Sequence, residues 1–378
     1  MRVPAPSLLA VVNLLKLTAG AVFPEPPTTF QVTWKSLELT DPDRTDPWNE
    51  THPRRLMISK FSPVPRSACL ETCRVKLMSE TVGSVEDELI ATYIDAVSGG
   101  DTKWPKGILA STEMEVCCKV KEGRDGDRHG QVNVPTVLFG PGLTATRLFY
   151  SGFAQHIAGM GYNVIVMDHP YDSNIVEFPD GTTIIGTQID PTNNETVEFA
   201  LDVRAADACF VLDMLGFTAT DKVLHIGQSF GGAAAAVAMA KDGRIAGGIN
   251  LDGGMFGPVL SEGVDRPFMI WGTIGHNATT LPSWDEFIKS MRSRGAWVKE
   301  LGLEDSTHFT MADFSILGDV SGLRDNERLV ELFFGAITGS RAMEILRQYL
   351  SDFFEFALGR EGEGLLEGPS KQFPEVTF

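Results

Sequence analysis

The chain has 378 residues, of which 43% are hydrophobic and 22% charged, the composition of a globular protein with ample material for a core. Length alone permits one large domain or two. The formal net charge of −18 argues against nucleic acid as a partner and against attraction to anionic membrane surfaces.

Residues 1–21 have the pattern of a secretory signal peptide. Arg2 forms a short basic region, an apolar run covers residues 7–17, and the small residues Ala-Gly-Ala at 19–21 resemble a cleavage site. The apolar run is too short to span a bilayer. We therefore expect removal of residues 1–21, secretion to the extracellular space, and no transmembrane segment.

Two further features are typical of an extracellular protein. The first is a set of three Asn-x-Thr glycosylation sequons. Their acceptor residues are Asn49, Asn194 and Asn277.

The second feature is the distribution of the five cysteines. Four of them cluster in the first third of the chain, at Cys69, Cys73, Cys117 and Cys118. Such a cluster could bind a metal, but in a secreted chain two disulfides are the expected outcome, with the pairing left open. Cys209 lies in a helical pattern and is expected to be a free, packed thiol.

The first part of the chain is predicted to be irregular. Residues 28–66 predict two paired strands joined by a turn-rich segment. Residues 67–130 form an insertion that contains the four clustered cysteines. Within it, a helix is predicted over 84–97, with Ser84 and Asp87 as its capping pair.

After an exposed loop at 122–130, short apolar strands and helical patterns alternate. Alternation of this kind predicts βαβ units, a parallel sheet and helices on both faces of it. The predicted strands cover residues 136–140, 163–168, 222–227, 244–252 and 266–272.

Two helical patterns, at 324–337 and 340–358, close the domain. We therefore expect one catalytic domain over residues 22–360 rather than two domains. The Gly- and Glu-rich residues 361–378 are predicted to be a disordered tail.

The pentapeptide Gly-Gln-Ser-Phe-Gly at 227–231 has the form G-x-S-x-G. It lies between an apolar strand and a small-residue helix, the context of a nucleophile elbow, in which a tight turn presents the serine above the sheet. The alternative is that the glycines only allow close packing. The context favours Ser229 as a nucleophile.

An elbow serine needs a base and an orienting acid, in the chain order Ser, Asp or Glu, His. Only His276 and His308 follow Ser229, and His308 lies in the late loop that an α/β-hydrolase base occupies. Asp252, at the end of a buried strand, is predicted to be the acid. Asp285 is expected in a first helical turn, with Ser283 as the N-cap. A favourable interaction with the helix dipole accounts for a carboxylate there without a catalytic role.

An oxyanion hole needs two backbone N–H groups. One is expected from Phe230, which follows the nucleophile. The other is expected from the loop after the strand at 136–140, where Pro141 has no N–H. Leu143, or else Gly142, is the predicted second donor.

Several segments together resemble the platelet-activating factor acetylhydrolase family, of the calcium-independent group VII phospholipase A2 type. They are LFGPGLTATRLFYSGFAQHIAGMGYNVIVMDHP, GQSFGG, NLDGGMFG and STHFTMADF, and DHPYDSNIVEFPDGT resembles secreted fungal members. The resemblance covers about 134–315. It departs from the family at Pro141 and Gln228, where the family often has histidine.

The resemblance implies an α/β-hydrolase fold, a doubly wound and mostly parallel sheet. It implies a Ser229–Asp252–His308 triad with Leu143 and Phe230 as oxyanion donors, and no metal or organic cofactor. The implied activity is that of a 1-alkyl-2-acetylglycerophosphocholine esterase acting on short acyl esters of lipids. Two alternatives stay open, namely a general carboxylesterase or polyester hydrolase, and a secreted binding module that has lost its chemistry.

Overall fold

The computed structural model describes residues 20–121, 134–187 and 189–378. Residues 1–19, which hold most of the predicted signal peptide, and the predicted loop at 122–130 lie outside these ranges. No helix in the described ranges is both long and apolar enough to cross a membrane.

The strands of the described ranges fall into three sheets. In chain order they are β1 (Val22–Phe23), β2 (Phe30–Thr45), β3 (Pro53–Pro65), β4 (Cys69–Lys76), β5 (Glu113–Val120), β6 (Thr136–Gly140), β7 (Asn163–Met167), β8 (Ile175–Glu177), β9 (Thr183–Ile185), β10 (Val223–Gln228), β11 (Ile245–Leu251), β12 (Phe268–Thr273), β13 (Val298–Leu303) and β14 (Val376–Thr377).

The α-helices connect and cover these strands. In chain order they are α1 (Glu80–Ser98), α2 (Ile108–Ser111), α3 (Ser151–Gly159), α4 (Asn194–Met214), α5 (Phe230–Lys241), α6 (Val259–Glu262), α7 (Pro282–Ser293), α8 (Phe314–Ser321), α9 (Glu327–Leu329) and α10 (Gly339–Ala357).

The central sheet has nine strands in the order β14-β13-β12-β11-β10-β6-β7-β3-β2. The six strands from β13 to β7 are parallel, and β2, β3 and β14 run antiparallel to their neighbours at the two edges. Two apolar clusters, which contain different buried side chains of the same strands, pack against helices. The predicted mostly parallel sheet with helices on both faces is confirmed.

The strands of the centre are buried along their whole length, because helices cover both of their faces. Every residue of β6, β10, β11 and β12 is buried. This explains why they read as continuous apolar runs in the sequence rather than as alternating patterns. The carboxyl ends of β10, β11 and β12 lie side by side, and the loops that follow them build the site described below.

Strands β4 and β5 of the insertion at 67–130 form a second, three-stranded sheet with β1 from the start of the described chain, in the order β1-β5-β4. Two disulfides, Cys69–Cys117 and Cys73–Cys118, join β4 to β5 and resolve the pairing that the sequence left open. Cys209 is free, and burial raises the pKa of its thiol to about 11.

Helix α1 begins earlier than the sequence predicted. Its N-cap is Ser79, whose side chain accepts a hydrogen bond from Val82 N, so Ser84 lies inside the helix and is not a cap. Asp87 is buried and accepts hydrogen bonds from the Trp104 indole and from Gly107 N. The predicted capping pair was wrong because the helix begins at Glu80, which places Ser84 and Asp87 inside it.

The predicted disorder of residues 361–378 was wrong. The segment contains a 3₁₀ turn at Gly364–Glu367 and ends in β14, which pairs with β13 at the edge of the central sheet. Leu366, Phe373 and Val376 are buried against α10 and β13. These three isolated apolar residues have no periodicity, so their burial is visible only in the folded chain.

Two smaller predictions were also wrong. The segment 324–337 is a 3₁₀ turn, the one-turn helix α9 and a π-helical turn at Val330–Phe334 rather than one helix. Helix α7 has Leu281 as its N-cap, and the Ser283 hydroxyl instead accepts a hydrogen bond from Met255 N. Asp285 lies in the first turn of α7, as expected, where it pairs with Lys289 at 2.6 Å.

Candidate active site

Ser229 sits at the turn between β10 and α5 with a backbone conformation of φ 54° and ψ −126°. A positive φ is uncommon for a residue other than glycine, and at an active site it indicates strain that the surrounding structure maintains. The neighbouring glycines permit the turn. A Cβ on Gly227 would lie 2.1 Å from the backbone of Gly231, and one on Gly231 would lie 2.0 Å from Gly140 O.

Asp252 follows β11, next to the serine turn. Its backbone also has a positive φ, of 60°, and a Cβ on the next residue, Gly253, would lie 1.9 Å from Ser229 O. Gly253 therefore follows the acid because the turn after β11 packs directly on the backbone of the nucleophile turn.

The Asp252 carboxylate is 3% exposed and holds His308. Asp252 Oδ2 accepts a hydrogen bond from His308 Nδ1 at 2.6 Å, and Oδ1 accepts one from Thr273 N at 2.7 Å. Burial alone would raise the pKa of this carboxyl, but hydrogen bonds from two histidines hold it down at about 2. Asp252 is therefore ionised at neutral pH.

The second of these histidines is His276, which sequence analysis had set aside. Its Nδ1 lies 2.9 Å from Asp252 Oδ1, so the two imidazoles bind the two oxygens of one carboxylate. His308 faces the cavity that contains Ser229, whereas His276 faces a different cleft. The expectation that His308, not His276, serves Ser229 agrees with this arrangement.

The hydrogen bonds assign the tautomer of His308. A carboxylate can only accept, so Nδ1 bears the proton toward Asp252 and Nε2 presents a lone pair. Gln228 Nε2 lies 3.1 Å from both His308 Nε2 and His308 O, and its Oε1 accepts from the Tyr150 hydroxyl at 2.9 Å. Gln228, the departure from the family pattern, thus holds the His308 imidazole in place. Ser229 Oγ makes no hydrogen bond with any described residue.

The loop after β6 contains one of the two predicted oxyanion donors. Gly142 N donates to the Tyr150 hydroxyl at 3.0 Å, so this N–H is already used. Among described groups, Leu143 N has no acceptor. Phe230 N, at the first position of α5, belongs to the N–H groups that an α-helix leaves free. The structure thus leaves Leu143, rather than Gly142, available beside Phe230.

Arg204 on α4 fixes this loop, a function that sequence analysis missed. Its guanidinium is 1% exposed and donates to Pro141 O at 2.5 Å and to Gly142 O at 3.0 Å. It also forms two hydrogen bonds of 2.6 Å to Asp172 and lies over the Phe230 ring at 4.8 Å. An arginine and an aspartate, Arg204 and Asp207, among the apolar buried residues of α4 were the signal in the sequence that could have drawn attention to it.

The cavity next to Ser229 has a volume of about 290 Å³. One wall comes from α1 of the disulfide-bonded insertion, which sequence analysis did not connect with the site. The remaining walls are largely aromatic. The ring-bearing side chains that line the cavity are Tyr93, Phe149, Tyr150, Phe309, Phe314 and Phe333.

Glu86 of α1 is a buried carboxyl at the edge of this cavity, and it is 1% exposed. Its Oε2 accepts from Asn174 Nδ2 at 3.0 Å, while Oε1 has no partner among the described residues. Burial raises the pKa of Glu86 to about 8, with smaller contributions from Asp168 and Asp87. Glu86 is therefore largely neutral at pH 7, and the cavity wall is mainly apolar.

The cysteine cluster does not supply metal ligands in this structure, because all four sulfurs are joined in disulfides. The predicted glycosylation acceptors differ in exposure. Asn194, at the start of α4, is exposed, whereas Asn49 and Asn277 are half-buried.

A mostly parallel sheet of this topology, with a serine turn after β10 and a carboxylate–histidine pair after β11 and β13, defines the chain as an α/β-hydrolase. A family model described as "Platelet-activating factor acetylhydrolase, isoform II" matches residues 94–179. A "Probable 1-alkyl-2-acetylglycerophosphocholine esterase" of Arthroderma benhamiae is 39% identical, and the match covers 98% of this chain and 97% of that protein. The chain therefore belongs to the platelet-activating factor acetylhydrolase family and is an esterase.

Two solved structures resemble the chain. A ferulic acid esterase from Streptomyces cinnamoneus superimposes with a TM-score of 0.73 at 27% identity, covering 95% of this chain and 99% of that one. A dienelactone hydrolase-like phosphotriesterase from metagenomic libraries has a TM-score of 0.47 at 12% identity, covering 85% of this chain and 98% of that one. The prediction of an esterase is confirmed, and the alternative of a non-catalytic module is excluded.

Proposed function

We propose that this chain is a secreted serine esterase that cleaves short acyl esters of phospholipid-like substrates. Ser229 attacks the ester carbonyl, and His308 Nε2 takes the serine proton and then returns it to the leaving alcohol. Water cleaves the acyl-enzyme by the same steps in reverse. The observation that supports this best is the 2.6 Å contact of Asp252 with His308, beside the strained Ser229 turn.

Asp252 stabilises the imidazolium that forms on His308 in each transition state. The N–H groups of Leu143 and Phe230 bind the developing oxyanion, which is often the largest single contribution to such catalysis. No metal or organic cofactor takes part in these steps.

Two observations support a short acyl group. The cavity of about 290 Å³ lies just below the usual range for ligand pockets, roughly 300–1,000 Å³. The Arthroderma benhamiae relative is named as an esterase of a glycerophosphocholine that bears an acetyl group. Secretion is supported by the sequence pattern of residues 1–21 and by the two disulfides.

A second candidate function is the hydrolysis of aromatic acyl esters such as feruloyl esters. The aromatic walls of the cavity favour it, because aromatic rings stack on one another. The Streptomyces relative is a ferulic acid esterase. This would make the chain a general carboxylesterase rather than a lipid esterase.

One panel of substrates separates the two functions. Purified protein is assayed with 1-alkyl-2-acetyl, 2-butyryl and 2-palmitoyl glycerophosphocholine and with methyl ferulate. The proposal predicts the highest kcat/KM for the acetyl lipid and a steep fall with chain length. Equal rates on acetyl and palmitoyl lipids contradict it, and a higher kcat/KM on methyl ferulate supports the second function instead.

A further inference from the structure

His276 forms a second imidazole contact to the carboxylate that the proposed mechanism uses. Its Nδ1 lies 2.9 Å from Asp252 Oδ1, and the opposite oxygen binds His308 at 2.6 Å. The turn that holds His276 is well defined, because His276 N donates to Thr273 O at 3.0 Å. A Cβ on Gly272 would lie 2.2 Å from His276 O, so glycine is needed for the turn to pack on β12.

His276 cannot take the place of His308 as the proposed base. It faces the cleft beyond β12 and β13, while Ser229 and His308 line the catalytic cavity. Its ring is 42% exposed, so water reaches it and it can exchange protons with solvent. It therefore acts on the reaction only through Asp252.

We propose that His276 is a positioning residue that orients Asp252 and, when protonated, weakens catalysis by His308. The inference rests on the proposed Ser229–His308–Asp252 mechanism. Neutral His276 donates Nδ1–H to Oδ1 and leaves the full carboxylate charge available to the imidazolium that forms on His308. Protonated His276 places a positive charge on the same carboxylate, so that the transition state gains less from it.

The hydrogen bond to Asp252 raises the pKa of His276 above its ordinary value of 6.5, against a smaller opposing effect of burial. The weakening therefore persists at pH values above 6.5 and is relieved as the pH rises through the raised pKa. The other charged side chains that border the cleft are Arg292 of α7 and Lys299, Glu300 and Glu304 of the β13 segment. None of them forms an ion pair with His276, and Glu300 accepts from Ala278 N instead.

The first test measures kcat/KM of the full-length protein with p-nitrophenyl acetate from pH 4.5 to 9. In the wild type the acid limb should contain two apparent ionisations, the upper one from protonation of His276, with a roughly tenfold lower rate below it. His276→Asn keeps an N–H near the position of Nδ1 but cannot be protonated. It should show a single ionisation and nearly full activity at pH 9.

His276→Ala removes the donor altogether. Only Thr273 N then holds Oδ1, so kcat should fall by roughly tenfold at pH 9 while KM changes little. Rescue by asparagine distinguishes orientation of Asp252 from simple filling of space. A single ionisation in the wild-type profile, or an asparagine variant that is no more active than the alanine variant, overturns the inference.

A second readout does not depend on activity. With ¹³C-labelled histidine, NMR titration should give a pKa above 6.5 for His276 in the wild type and a lower value in Asp252→Asn. An unchanged pKa overturns the inference. Ser229→Ala serves as the control for the mechanism: hydrolysis that survives it refutes the proposed function, whereas its loss together with unaltered His276 variants refutes the positioning role alone.

Discussion

Substitution of Asp252 by asparagine should abolish most of the activity through the tautomer of His308. Thr273 N lies 2.7 Å from Asp252 Oδ1 and can only donate, so the amide oxygen must take the Oδ1 position. The amide NH₂ then points at His308 Nδ1, 2.6 Å from Oδ2 in the wild type. His308 Nδ1 is forced to accept, and its proton moves to Nε2.

With the proton on Nε2, His308 cannot take the proton of Ser229. The same substitution in Ser-His-Asp proteases costs about 10⁴ in kcat, which is equivalent to about 5.5 kcal/mol of transition-state stabilisation. We expect a loss of this size in Asp252→Asn. Replacing the histidine contacts with weaker ones would by itself cost far less, about 1.5–3 kcal/mol for a hydrogen bond to a charged group.

The assay is the steady-state hydrolysis of p-nitrophenyl acetate by Asp252→Asn, with near-UV circular dichroism to establish that the variant is folded. Asp285→Asn is the matched control, because Asp285 pairs with Lys289 on the exposed side of α7. A folded Asp252→Asn variant within tenfold of the wild type, or a large loss in Asp285→Asn, would refute the assignment of the acid.

Three further predictions concern the oxyanion loop, the buried carboxyl and the disulfides. Arg204→Met should lower kcat by roughly 10²-fold in steady-state assays, about the cost of one oxyanion donor. Arg244→Met should not, because Arg244 precedes β11 at the amino end of that strand, opposite the site. Burial raises the pKa of Glu86 from 4.5 to about 8, so the native state binds the extra proton and stability falls as the pH rises through this window. In thermal unfolding, the stability of Glu86→Gln relative to the wild type should therefore increase as the pH rises from 5 to 9, by at most about 5 kcal/mol. The same pH dependence of stability in both proteins would contradict the burial argument. Joint replacement of Cys73 and Cys118 by alanine should cost only about 2 kcal/mol in urea unfolding, because Cys69–Cys117 still closes the long loop.

The alternation of strands and helices made the central sheet predictable. Buried parallel strands such as β6, which the sequence placed at its observed bounds, are short apolar runs with turn residues on either side. The edge strands of the sheet were harder to predict. β14 has two residues, and its pairing depends on β13 and on the burial of Phe373, neither of which leaves a local pattern.

The three residues of the candidate triad could be predicted because their order along the chain is fixed in α/β-hydrolases. The serine turn has a local signature, and His308 and Asp252 are in the positions that the order Ser, Asp, His requires. The supporting contacts could not be predicted, because they join residues far apart in sequence. Arg204 lies over sixty positions from the loop it holds, at Pro141.

His276 shows the limit of reasoning from order alone. It was set aside because it comes too early to be the base, and its position in a separate cleft agrees with this. Its contact with the other oxygen of Asp252 depends on how β11 and β12 lie side by side in the sheet. The α1 wall of the cavity is a similar case, since it comes from an insertion that precedes the catalytic half of the chain.

The proposed mechanism depends first on Ser229 as the nucleophile. Incubation of the purified protein with a fluorophosphonate, followed by peptide mass spectrometry, measures which side chain reacts. We expect one adduct per chain, located on the peptide that contains Ser229, with loss of esterase activity in proportion to labelling and no adduct in Ser229→Ala. An adduct on another residue that inactivates the enzyme, or full turnover by folded Ser229→Ala, would contradict it.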